Sequence, residues 1–221
     1  MNLAKVFSAV FGLMPFIPLY IYGKRGYNFM EKEIKIYWWF LMFAFVFQIG
    51  LSLAARLNIM NTFFIVLFQL IEYAVLSLLF YMWNPNKLLR VLIPLFLLGN
   101  IISFIYFFAG NTINYSVTID KYLRNFVLIP LAFYTAYKFA ISSENELLTD
   151  CKFWILSGIL INTALSAFVF VVRSYSISNR EVSQLAENML LIVNLITYII
   201  FIKGFLCLKT NTKYSGSSHL L

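Results

Sequence analysis

Seven apolar runs, each close to the length that crosses a bilayer, occupy almost all of this 221-residue chain. A helix needs about 20 residues to cross the hydrocarbon core. The apolar residues are continuous within each run, which is typical of membrane helices and not of a membrane β-barrel, where they alternate. We therefore predict an all-α protein, a polytopic bundle of seven transmembrane helices.

The composition excludes a soluble globular protein. Hydrophobic residues make up 62% of the chain and charged residues 12%, whereas soluble domains are roughly a quarter charged. The predicted spans are residues 6–22, 36–57, 62–83, 91–108, 123–140, 153–172 and 189–208. We predict a single transmembrane domain over residues 1–208 and a short cytoplasmic tail over 209–221. The longest connections, residues 109–122 and 173–188, are polar and are predicted as loops.

The basic residues predict the orientation in the membrane. Of the 17 Lys and Arg residues, eleven fall on the side of the C-terminus and six on the other side. Cytoplasmic loops carry an excess of Lys and Arg. We therefore predict a cytoplasmic C-terminus and an N-terminus outside, in the cell inner membrane. The same rule accounts for the net charge of +8 without nucleic acid, and the lipid bilayer is the expected partner.

One acidic residue stands near the middle of a predicted span. Glu72 lies about ten residues into the third span, where a carboxyl group must be neutral, paired or next to a wet cavity. Gln69 and Tyr73 lie within one helical turn of it. These three residues are candidate ligand-binding residues. The alternative is that Glu72 is neutral and hydrogen-bonds a neighbouring helix for packing.

Further polar residues fall in the middle of other spans. Such residues commonly join membrane helices by hydrogen bonds. Together with Glu72 they are expected to line one polar pocket near the middle of the membrane. The ones that we select as candidate ligand-binding residues are Asn100, Asn162, Asn194 and Tyr198.

Enzyme chemistry has little support, and we predict that the chain is not an enzyme. Its one histidine is His219, near the C-terminus, so no buried His–carboxylate pair or histidine metal site is expected. No Gly-rich phosphate-binding loop is present. Lys203 lies near the cytoplasmic end of the last span, where its amine can reach the interface, so a retinal Schiff base is not expected. We predict no catalytic residue, metal or cofactor.

Three stretches carry a resemblance to a known group of proteins. They are FWILSGILI over residues 153–161, Ile71-Glu72-Tyr73, and NLITYIIFIKGFLC over residues 194–207. In these phrases the chain resembles an uncharacterised family of small bacterial seven-span inner-membrane proteins. The resemblance implies a sensory or signalling role, in some members alongside histidine kinases, and it points to Glu72 and Asn194.

The leading functional hypothesis is a small membrane sensor or signalling component. It would bind a small or lipophilic ligand around Glu72 and act through a partner protein, since the chain has no output domain. A small transporter, with Glu72 as a coupling carboxylate, is the second hypothesis. A non-catalytic assembly subunit, in which Glu72 only joins helices, is the third.

Overall fold

The computed structural model of the chain describes residues 16–56, 62–84, 86–109, 113–142, 147–175 and 180–215. Within these ranges the chain forms seven α-helices and no β-strand, which confirms the all-α prediction. Short 3₁₀ turns follow the first helix and precede the sixth. The helices are α1 (Phe16–Gly26), α2 (Lys32–Arg56), α3 (Thr62–Trp83), α4 (Lys87–Ala109), α5 (Ile113–Ser142), α6 (Cys151–Tyr175) and α7 (Arg180–Ser215).

Five of these helices contain a segment that is long and apolar enough to cross a membrane. The segments are Lys32–Leu51, Phe63–Trp83, Lys87–Tyr106, Cys151–Val169 and Asn188–Leu208. In α5 the apolar stretch is shorter, Asn125–Ile141. Most of the first predicted span, residues 6–15, lies outside the described residues. The chain is a helical, multi-spanning membrane protein.

The helices extend beyond the apolar runs into segments that were predicted as loops. Helix α5 begins at Ile113 and α7 at Arg180, so both long connections are partly helical. Helix α7 also continues to Ser215, seven residues into the predicted tail. These segments contain no Gly or Pro, so nothing in them stops a helix once it has formed. Their polarity marks where the hydrocarbon core ends, and the helices continue beyond it.

Side-chain caps fix the starts of two helices. The Oδ1 atom of Asp150 accepts a hydrogen bond of 2.8 Å from the backbone N–H of Lys152 at the start of α6. The Oδ1 atom of Asn86 accepts one of 2.9 Å from the N–H of Leu88 at the start of α4. Each cap satisfies one of the N–H groups that a helix leaves unpaired at its first turn.

The chain divides into two compact units. The first comprises Met1–Met30 and Leu128–Leu221, and the second comprises Glu31–Val127, so one boundary follows α1 and the other lies within α5. In the first unit, α6 and α1 both pack against α7. Glycines permit the close approach of α6 and α7. A Cβ atom on Gly158 would lie 2.4 Å from the Phe201 ring, and one on Gly204 would lie 3.1 Å from Cβ of Trp154. Small residues at such contacts are the usual means of packing membrane helices closely.

The second unit is arranged around α3, which packs against both α2 and α4. Buried residues of α3 recur at helical spacing along one face: Val66, Tyr73, Leu76, Phe80 and Trp83. On the neighbouring face, Phe68 stacks against aromatic rings of α2. The predicted bounds of the third span, residues 62–83, agree with those of α3.

Candidate functional site

Helix α3 holds three of the predicted site residues within about one turn. Tyr73 is buried, with 2% of its surface exposed. Gln69 and Glu72 are half-buried, so Glu72 lies at the edge of the buried face. Gln69 and Tyr73 are four residues apart and therefore share one face of the helix. All three residues lie in the middle of α3, as the sequence predicted. Glu72 is less buried than its mid-span position led us to expect.

The side chain of Gln69 has an unusual environment. Its Oε1 atom is buried and accepts no hydrogen bond from any residue that the structure describes. A buried acceptor without a donor costs about 1–3 kcal/mol of stability. Such atoms are rare in folded proteins, and each calls for an explanation. A donor to this oxygen therefore has to come from outside the described residues.

An aromatic cluster flanks Glu72 on the side of α2. Phe68 lies four residues before Glu72, so their side chains are neighbours on the helix surface. The ring centroid of Phe68 lies 4.9 Å from that of Phe47, 6.1 Å from that of Phe40 and 6.3 Å from that of Phe43. The planes of Phe40 and Phe47 are each within 16° of the Phe68 plane. Sequence reasoning did not identify this cluster.

The sequence spacing of the three α2 phenylalanines predicts part of this cluster. Phe40, Phe43 and Phe47 are three and four residues apart, which places them on one face of α2. That pattern alone does not say which residue of another helix they meet. The structure shows that it is Phe68, one turn from the candidate carboxylate.

Asn100 lies in the same unit, on α4. Its Nδ2 atom donates a hydrogen bond of 2.9 Å to the carbonyl oxygen of Phe96, one turn earlier in the same helix. Its amide nitrogen is therefore used within α4. This contact satisfies the side chain locally, as polar residues in membrane helices often do. Asn100 is accordingly a weaker ligand-binding candidate than Gln69.

The remaining three predicted residues lie in the first unit, on α6 and α7. Gly158 faces Phe201 and Gly204 faces Trp154, so the helices are antiparallel and Asn162 is level with residues 197–198. Asn162, Asn194 and Tyr198 are all half-buried. The Oγ atom of Ser166 donates a 3.4 Å hydrogen bond to Oδ1 of Asn162.

Two buried threonines accompany these residues and favour a packing role for this polar layer. Thr163 donates a 2.9 Å hydrogen bond to the carbonyl oxygen of Ile159, and Thr197 donates one of 2.8 Å to that of Val193. Both bonds stay within one helix.

The seven predicted site residues thus form two groups, four in the second unit and three in the first. That all seven line one pocket remains a prediction.

A third polar cluster lies where α6 begins. The carbonyl oxygen of Leu148 accepts hydrogen bonds from Nε1 of Trp154, at 2.9 Å, and from Sγ of Cys207, at 3.5 Å. Lys203 is exposed, and its Nζ atom lies 6.0 Å from the centroid of the Trp154 ring. This arrangement gives Trp154 a fixed orientation. Among the described residues, no group of three or more His, Cys, Asp or Glu side chains is placed to hold a metal ion.

Comparisons with protein-family models, with curated proteins and with solved structures find no match to this chain. The candidate site therefore has to be interpreted from its own residues.

Proposed function

We propose that this chain is a small membrane sensor that binds a lipophilic ligand beside Gln69 and Glu72 and acts through a partner protein. The buried and unsatisfied Oε1 atom of Gln69 carries the proposal. It lies three residues from Glu72, so two acceptor groups share the middle of one span. Ionisable residues at that depth commonly mark a binding or transport function.

The packing of α3 offers a route from the site to a loop. Helix α3 contacts both α2 and α4, so a ligand that moves α3 changes two helix contacts. The turn after α3 is held by hydrogen bonds. Asn84 donates from Nδ2 to the carbonyl oxygen of Phe80 at 2.9 Å, and Arg90 donates from Nε to that of Asn84 at 3.1 Å. A displacement of α3 is thereby passed to the turn that joins it to α4.

The charge distribution supports the proposed orientation. The turn between α3 and α4 is on the side with eleven of the 17 basic residues, which we assign to the cytoplasm. We propose that a signalling partner binds there, and that the protein resides in the inner membrane of a bacterium.

The experiment that tests this proposal uses a photo-crosslinking amino acid in place of the exposed Leu88. The full chain is expressed in its native membrane. The yield of the crosslinked partner is compared among three proteins that all carry the crosslinker at position 88: one with no further change, one with Glu72→Gln and one with Asn100→Leu. Allosteric coupling is typically about fivefold or more, so Glu72→Gln should change the yield by about that factor. Asn100→Leu, whose amide bonds within α4, should leave the yield unchanged.

Two other outcomes would contradict the sensor proposal. A partner captured equally in all three variants would indicate an assembly subunit. The absence of any partner, together with solute uptake into proteoliposomes that Glu72→Gln abolishes, would indicate a transporter.

A further inference from the structure

Two basic residues share the first turn of α4. Lys87 and Arg90 are both exposed and are three residues apart, so their side chains are neighbours on the helix surface. The sequence contains no Asp or Glu from Tyr73 to Ala109, the segment that holds both residues. Neither α4 nor the second half of α3 therefore supplies a negative charge to balance them.

Two contacts hold the guanidinium group of Arg90 in place. Its Nε atom donates a hydrogen bond of 3.1 Å to the carbonyl oxygen of Asn84, and its Cζ atom lies 5.6 Å from the centroid of the Tyr81 ring. Arginine stays charged in proteins, and the hydrogen bond uses one of its five N–H donors. No described residue accepts a hydrogen bond from the two terminal NH₂ groups. These groups form a planar fork that can bind a phosphate through two parallel hydrogen bonds.

An exposed apolar face of α4 begins beside these cations. Its residues lie four, three and four positions apart, and each is more than half exposed: Val91, Leu95, Leu98 and Ile102. Val91 is four residues after Lys87, so the basic residues and the apolar face are continuous. At 1.5 Å per residue this face is about 17 Å long. Half of the hydrocarbon core of a bilayer is about 15 Å thick, so the face matches one acyl chain of a single leaflet.

We propose that this end of α4 binds an anionic phospholipid, with its phosphate at Lys87 and Arg90 and an acyl chain along the apolar face. Arg90 supplies directional hydrogen bonds, and Lys87 supplies a second positive charge. The partly exposed ring of Tyr81 lies beside Arg90, as is common for tyrosine at the level of lipid headgroups. Basic residues at a membrane surface attract anionic lipids. A zwitterionic lipid is disfavoured because its headgroup carries a cation of its own.

The combination of charge and apolar surface favours a lipid over other anionic ligands. A free phosphate would contact only the two exposed cations, whose attraction is weakened by salt. A phospholipid contacts the cations and the apolar face together. An acidic segment of a signalling partner would also match the charge. The partner is proposed to bind near Leu88, which is two residues from Arg90 and therefore points to another side of α4. The lipid proposal does not depend on the sensor function.

Two lipids with the same acyl chains and different headgroup charge test this proposal. The full chain in dodecyl maltoside micelles is titrated with phosphatidylglycerol or with phosphatidylcholine, and the dissociation constant of the first bound lipid is measured by native mass spectrometry. Phosphatidylglycerol should bind at least about fivefold more tightly, the factor that one basic residue contributes near an anionic lipid surface.

Variants of the two cations should weaken binding of the anionic lipid. Arg90→Gln and Lys87→Gln should each reduce the affinity for phosphatidylglycerol by about fivefold and leave that for phosphatidylcholine nearly unchanged. Arg90→Lys keeps the charge but lacks the planar fork and the hydrogen bond from Nε, so its affinity should lie between those of the unmodified protein and Arg90→Gln.

Lys32→Gln is the matched control. Lys32 is an exposed basic residue of the same unit, but it lies between Glu31 and Glu33 in the sequence. The substitution removes the same charge and should leave phosphatidylglycerol binding unchanged. An excess of glycerol 3-phosphate, which has no acyl chain, should not displace the lipid. Thermal unfolding of each variant without added lipid establishes that it is folded before affinities are compared.

Equal binding of the two lipids would overturn the proposal. Equal losses of phosphatidylglycerol binding in Lys32→Gln and Arg90→Gln would also overturn it, since net charge would then be responsible. Displacement by glycerol 3-phosphate would indicate a site for a soluble phosphate instead. If Arg90→Gln changes partner crosslinking at position 88 and not lipid binding, the cations serve the partner protein and the lipid proposal is wrong.

Discussion

Gly158 of α6 and the ring of Phe201 of α7 are so close that a Cβ atom on Gly158 would lie 2.4 Å from Cε1 and 2.8 Å from Cδ1 of that ring. Phe201 is buried, with 3% of its surface exposed. The ring therefore cannot move aside without disturbing its neighbours. This contact sets the distance between the two most closely packed helices of the first unit.

Gly158→Ala should therefore destabilise the protein. Overpacking of a buried contact costs about 1–3 kcal/mol, so the free energy of unfolding in micelles should fall by that amount. Gly99→Ala is the control, since nothing lies within 4 Å of a Cβ atom built there. It should be neutral or slightly stabilising. Equal losses in the two variants would contradict the packing described for α6 and α7.

Asp150→Ala should destabilise the start of α6. The carboxylate accepts the hydrogen bond from the N–H of Lys152, and removing an N-cap costs about 0.5–2 kcal/mol. Asp150→Asn should retain most of the stability, because an amide oxygen accepts the same bond. Thermal unfolding followed by tryptophan fluorescence measures both changes. If Asp150→Asn loses as much stability as Asp150→Ala, the charge of Asp150, and not its capping hydrogen bond, is responsible.

Gln69→Leu should stabilise the protein in the absence of ligand. The substitution removes a buried acceptor that has no donor among the described residues, and that relief is worth about 1 kcal/mol. Asn100→Leu removes a satisfied amide and should give no such gain. The two variants are compared by the free energy of unfolding in the same micelles. A loss of stability in Gln69→Leu would show that the Gln69 oxygen holds helices together.

The C-terminus should lie in the cytoplasm and the N-terminus outside. A fluorescent protein that folds only in the cytoplasm should be bright at the C-terminus and dark at the N-terminus. The physical reason is the excess of Lys and Arg on the C-terminal side, to which Lys24, Arg25, Lys32 and Lys35 contribute most. The reverse pattern of fluorescence would invert the assignment of every loop.

Much of the fold follows from hydropathy, because a membrane helix has to satisfy its own backbone. For example, the predicted third span, residues 62–83, has the same bounds as α3. The polar extensions of α5 and α7 were missed, since hydropathy reports the edge of the membrane and not the end of a helix.

The site was predictable only in part. A carboxyl group in a mid-span position pointed to Glu72, and its neighbours Gln69 and Tyr73 followed from helical spacing. The contact of Phe68 with α2 depends on how the two helices cross. The unsatisfied oxygen of Gln69 depends on what surrounds it. Neither property is set by spacing along one helix.

The proposed sensor function requires ligand access to the side of α3 that carries Gln69. Access is measured by the rate at which a membrane-impermeant, cationic thiosulfonate labels Gln69→Cys in a Cys151→Ser, Cys207→Ser background, since these are the two native cysteines. Leu78→Cys, at an exposed apolar position of the same helix, is the control, because a thiol that faces lipid stays protonated and unreactive. We predict that Gln69→Cys is labelled at least about tenfold faster than Leu78→Cys. Equal and slow labelling at both positions would contradict the proposed site.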